Sequence, residues 1–221
     1  MTDESPSKPF RVALVEDHAS FRQALAFVFD LEQDFVVVEQ VGSLAEARAA
    51  PREYDLAILD LALPDGSGVD LVEELRGPNP DVEVLVLSAT LDEENVARLV
   101  DVGASGVLDK LAGVEEIVAE AQRLMAGAVL PRQREVVEIL RTLARGGADP
   151  AATGDAGLTE PEAEVLRALA EGLDGEEAAR RLGTTSGQVR HQVKGILEKL
   201  GARSGLQALV AAARRRLVEI R

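Results

Sequence analysis

A chain of 221 residues that is 46% hydrophobic and 29% charged holds enough apolar material for two cores, and its lack of cysteine excludes disulfide scaffolds, thiolate zinc sites and cysteine nucleophiles. The 24 Lys and Arg against 39 Asp and Glu give a formal charge of −15, which as a whole-chain average argues against a nucleic-acid partner. His18 and His191 are too far apart in sequence to form a metal motif, and a Ser-His-Asp triad would have to be built around one of them alone.

The polar, acidic start MTDESPSKPF and the lack of any apolar run near about 18 residues predict a cytoplasmic chain with no membrane partner. From Arg11 to about Met125, the short runs RVALVE, FVVVEQV, LAILDL, VEVLVLS and SGVLDK alternate with amphipathic segments. The runs are apolar almost throughout, as parallel strands covered on both faces must be, and each crossover has room for one helix. The expectation is an α/β unit with a doubly wound, five-stranded parallel sheet and five helices. Ser43, with Glu46 three residues on, has the spacing of a helix cap.

After Ala126 the alternation stops. REVVEILRTLAR reads as a lone helix and GGADPAATGDAG as a linker. From Leu158 the pattern is wholly helical, with four starts at capping-box spacing: Thr159/Glu162, Asp174/Glu177, Thr185/Gln188 and Ser204/Gln207. The predicted division is 9–127, a linker over 128–157, and a small all-α unit of four helices over 158–221. Charge divides with it. Residues 1–157 hold 13 basic and 30 acidic side chains, for −17, and residues 158–221 hold 11 and 9, for +2.

In an open parallel sheet, ligands sit beyond the carboxyl ends of the strands. The residues predicted there are Glu16 and Asp17, Asp60, Ser88 and Ala89, and Lys110. Carboxylates this close repel unless a cation joins them, and hard oxygen ligands suit Mg²⁺ or Mn²⁺, with Lys110 balancing the remaining charge.

With those residues in place, the stretch from about Phe10 to Met125 resembles a response-regulator receiver domain, a flavodoxin-like fold. The resemblance implies that Asp60, in LAILDLALPDGSG, accepts a phosphoryl group from a partner sensor histidine kinase. It implies that Asp17, with Glu16 acting through water, holds Mg²⁺ together with Asp60 and the backbone carbonyl of Ala62. It also implies that Lys110 and the switch hydroxyl of Ser88 meet the phosphoryl oxygens, with the Ala89 amide alongside. Two departures stand out. Val107 occupies the place of the family's aromatic switch residue, and Ala62 and Thr90 offer no carboxylate or amide to orient an attacking water, so self-dephosphorylation is expected to be slow.

In the second unit, projecting 187–200 at 100° per residue puts Val189, Val193, Ile196, Leu197 and Leu200 on one face, with Gln188, His191, Lys194 and Gly195 opposite or beside it. The preceding GEEAARRLG ends in Gly183, giving helix-turn-helix spacing. From Leu158 to about Ala213 the chain resembles the LuxR-type effector domain of the NarL/FixJ response regulators. By that resemblance Gln188, Arg190, His191 and Lys194 face DNA, and Lys199 and Arg203 suit backbone phosphates. The bland alternatives are that Gln188 only caps its helix and that His191 is a solvated residue. Gly195 either lets the duplex approach closely or is simply tolerated.

The expected function is a two-component transcription factor whose partners are a sensor histidine kinase, double-stranded promoter DNA, a second copy of the chain and RNA polymerase; the face of Leu206, Leu209, Val210 and Ala213 either joins the two copies or packs within its own domain. It is not expected to be an enzyme beyond assisting its own phosphotransfer. Two rivals were weighed: the same fold acting without phosphorylation, which Val107 favours, and a phosphatase with Asp60 as nucleophile, against which Ala62 stands where such hydrolases place a second acid.

Overall fold

The computed structural model describes residues 8–77, 81–146 and 156–220. The alternation of apolar runs becomes β1 (Phe10–Val15), α1 (Ala19–Phe29), β2 (Phe35–Val41), α2 (Leu44–Ala49) and β3 (Leu56–Asp60). A minute hairpin follows, β4 (Ala62–Leu63) and β5 (Gly66–Ser67), and then α3 (Gly68–Arg76), β6 (Glu83–Ser88), α4 (Glu93–Val102), β7 (Gly106–Asp109) and α5 (Val114–Met125). Five strands pair in parallel in the order β2-β1-β3-β6-β7, with Leu56 opposite Val12 on one side and Glu83 on the other. The predicted doubly wound sheet is therefore present. The antiparallel β4–β5 pair is an addition to the five predicted strands.

Strands β1, β3 and β6 are buried on both faces, which explains their unbroken Val, Leu, Ile and Ala. One apolar cluster, including Leu14, Leu25, Phe29, Ile58 and Ile117, fills the face under α1 and α5. The opposite face, under α2, α3 and α4, does not close on itself: its cluster continues through the next helix into the carboxyl-terminal unit.

That helix, α6 (Arg134–Gly146), is the predicted lone helix, and its buried Val136, Val137, Leu140 and Leu143 give it one apolar stripe. The predicted linker GGADPAATGDAG lies almost wholly outside the described residues. The four predicted helices follow as α7 (Glu160–Ala170), α8 (Gly175–Leu182), α9 (Ser186–Leu200) and α10 (Gly205–Arg214). Their caps are the predicted Thr159, Asp174, Thr185 and Ser204. Helix α8 ends on Gly183 at φ 66°, a left-handed turn that directs the chain into α9. The last helix stops at Arg214.

It stops there because Arg216 takes a left-handed conformation (φ 60°), while Arg216 and Leu217 return their N–H groups to the carbonyls of Ala213 and Ala212. An L side chain is disfavoured at such a position. Arg216→Gly is expected to stabilise the protein by about 0.5–1 kcal/mol in urea unfolding, and a loss of stability would contradict this reading.

The carboxyl-terminal unit is docked on the sheet unit. Ser204 Oγ donates to the Ala104 carbonyl at 2.8 Å, Gln207 Nε2 to the Asp101 carbonyl at 3.0 Å and the Gly175 N–H to the Ala126 carbonyl at 2.9 Å. Arg76, a buried arginine at the end of α3, donates to the Arg203 carbonyl and to Ser105 Oγ, both at 2.6 Å.

Candidate phosphoacceptor site and DNA-reading helix

Parallel strands that end in step bring their last residues together, and here β1, β3, β6 and β7 deliver Glu16, Asp60, Ser88 and Lys110 to one end of the sheet. Glu16, Asp60 and Ser88 are each no more than 3% exposed. Two buried carboxylates need a cation, and Lys110 Nζ supplies one, 2.5 Å from Asp60 Oδ2 and 2.8 Å from Glu16 Oε2. Partial burial pulls the ammonium down, but its hydrogen bonds to Asp60 and Glu16 outweigh this and hold it above the usual lysine range. The other oxygen of Asp60 accepts the Ala62 N–H at 3.1 Å.

Asp17 and His18 complete the cluster. His18 Nδ1 lies 2.7 Å from Asp17 Oδ1 and 3.1 Å from Glu16 Oε1. One ligand atom each from Glu16, Asp17, His18 and Asp60 falls within 4.8 Å of the others. His18 was read only as one of two isolated histidines; its place directly after the acid pair was the signal that could have found it. Oxygen donors converging this tightly fit a small divalent cation.

Ser88 Oγ is bonded within its own loop, donating to the Thr90 carbonyl at 2.7 Å and accepting the Thr90 N–H at 3.2 Å. Val107 is fully buried within the apolar cluster on the α4 side.

In α9, Val189, Ile196 and Leu200 are buried as predicted, and Arg190, His191 and Lys194 are exposed. These three side chains line a cleft of about 520 Å³ whose opposite wall includes Phe10, Glu83 and Met125 of the sheet unit. The helix expected to read DNA therefore faces the other domain. Gln188 caps α9, its Oε1 accepting the Thr185 N–H at 3.3 Å, which is the bland alternative raised for it. Lys199 is engaged within its own unit, 2.6 Å from Glu162 Oε2, and Arg203 is 2.7 Å from Glu73 across the interface.

Gly195 has a specific cause that the sequence reading missed: a Cβ there would lie 2.6 Å from Glu162 Oε1. The glycine makes room for a buried carboxylate, which Lys199 and the Thr159 N–H, at 2.6 Å each, hold down to a pKa of about 2. Because the folded value lies below the usual 4.5, this stabilisation is complete above about pH 4.5 and is lost as pH falls toward 2. Glu162→Gln should cost about 1–2 kcal/mol at pH 7, discounted for the partial exposure of Lys199. Urea unfolding at pH 7 and pH 3 checks this; an equal gap to the wild type at both would count against it.

The family model of the response regulator receiver domain matches residues 12–122, and that of the bacterial regulatory proteins of the luxR family matches residues 156–212. The chain belongs to the response regulators with a luxR-family DNA-binding domain. Over 207 residues it is 33% identical to the DNA-binding transcriptional activator DevR/DosR of Mycobacterium tuberculosis, covering 91% of this chain and 93% of that one. Over 206 residues it is 31% identical to the nitrate/nitrite response regulator NarP of Escherichia coli, covering 91% and 94%. Among solved structures it is similar to RcsB of Salmonella typhimurium, with a TM-score of 0.54 at 20% identity over 91% of this chain and 96% of that chain, a likeness of fold.

This response regulator is thus a DNA-binding transcription regulator homologous to activators of two-component systems. A receiver joined to a DNA-binding domain indicates a kinase partner and promoter DNA. Receiver domains bind Mg²⁺ at an acidic pocket, and the acidic cluster here has that character. Among the described residues, no helix of the response regulator is long and apolar enough to cross a membrane.

Proposed function

We propose that Asp60 accepts a phosphoryl group from a sensor histidine kinase and that its phosphorylation frees a DNA-reading helix held against the receiver. The observation carrying this reading is the pairing of a buried Asp60–Lys110–Glu16 cluster at one end of the sheet with Arg190, His191 and Lys194 turned toward the receiver in the docked chain. An Asp60 oxygen attacks phosphorus, forming an O–P bond as the P–N bond of the donor phosphohistidine breaks; the imidazole leaves with the electron pair and takes a proton from solvent. Lys110 exchanges part of its contact with Asp60 for phosphoryl oxygens. Ser88 gives up the Thr90 carbonyl to donate to another.

Glu16, Asp17, Asp60 and the carbonyl of Ala62 would hold Mg²⁺, or Mn²⁺. When bound, that ion neutralises phosphoryl charge. The division of the protein into receiver (9–127), linker (128–157) and effector (158–221) is part of the same proposal. So are a cytoplasmic location, RNA polymerase as a partner and an active homodimer. The apolar face of α10 expected to join two copies is covered here, with Leu206, Leu209 and Val210 buried in the cluster shared with α6. A dimer built on that face requires undocking. RcsB has been solved bound to promoter DNA in the presence of the phosphomimetic BeF₃⁻, which lends support by analogy.

Acetyl phosphate with Mg²⁺ should raise affinity for a cognate duplex about tenfold or more. The modified state should also persist, because Ala62 and Thr90 orient no water. Unchanged binding by fully labelled protein would instead favour a second reading, in which the regulator acts without phosphorylation, as buried Val107 suggests. Equal DNA binding by Asp60→Ala and phosphorylated wild type would establish that alternative.

A further inference from the structure

Gln133 lies between α5 and α6, outside the five-stranded fold, yet its side chain is tied into it. Its Oε1 accepts the Asp109 N–H at 3.0 Å, and its Nε2 donates to Glu116 of α5 at 3.3 Å. Its carbonyl accepts the N–H of Val137, in the first turn of α6, at 3.1 Å. Asp109 ends β7, an edge strand, and the N–H taken by Gln133 is on the side no neighbouring strand reaches. The next residue is Lys110, whose own N–H is held by the Ser88 carbonyl at 2.9 Å. The lysine loop is thus fastened on one side to the strand bearing Ser88 and on the other, by one side chain, to the linker.

Helix α6 in turn carries the effector unit. Arg141 Nε donates to the Ile220 carbonyl at 3.0 Å and Arg214 Nε to the Leu143 carbonyl at 3.3 Å, while the apolar stripe of α6 joins that of α10 in one cluster.

We propose that Gln133 is the coupling residue through which a change at Asp60 reaches the DNA-binding unit. As Lys110 follows the new phosphoryl group, its loop shifts, the Asp109–Gln133 hydrogen bond breaks, and the start of α6 loses its anchor on the sheet. This rests on the phosphoacceptor reading above. Val107 favours the route, because a buried valine has no ring to swing between two positions. The magnitude is also sufficient: a tenfold coupling corresponds to about 1.4 kcal/mol, the scale of one hydrogen bond.

Gln133→Met keeps the length of the side chain and removes the acceptor, whereas Gln133→Glu keeps the acceptor. Full-length proteins are treated with acetyl phosphate and Mg²⁺. Occupancy of Asp60 is read by intact mass, and release by amide hydrogen exchange in α10. In the wild type, labelling should accelerate exchange about tenfold. Gln133→Met should label like the wild type, exchange about tenfold faster than the wild type before treatment and gain less than about twofold more on labelling, whereas Gln133→Glu should keep most of the slow resting exchange and of the response. Four outcomes overturn the proposal: a Met variant that rests and releases like the wild type, one that no longer labels, one that exchanges slowly both before and after labelling, and a labelled wild type that does not release. A wild type that takes no phosphoryl group is distinguishable from all of these, because it defeats the phosphoacceptor reading first.

Discussion

Asp60→Asn loses phosphoryl uptake from acetyl phosphate by more than about a thousandfold while the protein stays folded. The carboxylate oxygen that meets Lys110 at 2.5 Å belongs to a buried side chain, and an amide in its place has no anionic oxygen to attack phosphorus. The fold survives because Lys110 retains Glu16 at 2.8 Å and the Ala62 N–H can still bond to the amide oxygen. Intact-mass measurement after incubation with Mg²⁺ is the direct check. Uptake persisting in the variant would place the acceptor elsewhere, with Asp17 as the first position to examine.

Arg76→Ala undocks the effector unit and destabilises the chain by about 3 kcal/mol. Burial drags the guanidinium below its ordinary range even though Glu83 lies 3.3 Å away, so it remains charged at a cost that its partners must offset. Its removal strands the Arg203 carbonyl at the seam between the domains and leaves Ser105 Oγ with the Val84 N–H, at 2.8 Å, but without its arginine. With the seam loosened, the cleft that Arg190, His191 and Lys194 share with the receiver opens wide enough to admit a duplex. Affinity for a random-sequence duplex should then rise about tenfold without any phosphodonor, and it should fall steeply with salt. The exposed Glu73–Arg203 pair is the control, since Glu73→Gln should change stability by less than about 1 kcal/mol. Unchanged duplex binding by Arg76→Ala would remove the docked arrangement as the source of inhibition.

The sequence makes the sheet legible because strands covered on both faces must be apolar from end to end, and their last residues then announce themselves as Glu16, Asp60, Ser88 and Lys110. The helical unit is legible through its caps, where Thr159, Asp174, Thr185 and Ser204 each satisfy a free amide or share in a capping box. Local chemistry stops there. The β4–β5 hairpin has two residues per strand, too few for any alternation to register. Gly195 was weighed against DNA because its true neighbour, Glu162, is 33 positions away along the chain. Arg76 did leave a trace: it continues the apolar stripe of Val69 and Val72, where a charge demands a partner, but nothing local names the Arg203 carbonyl. Gln133 left none, since a single glutamine in a linker has no period to break.

The apolar cluster that runs from the sheet through α6 into α7–α10 has a consequence for how the protein tolerates change. Where one continuous interior serves two units, the free energy that holds the reader in place is part of the free energy that folds it. On the docked reading, a substitution at Leu209 or Val136, neither of which belongs to the acidic pocket or to α9, then moves the resting level of the regulator as well as its melting point. On that same reading, packing residues set the background activity, which can drift by inheritance without any alteration to the acidic pocket or to α9.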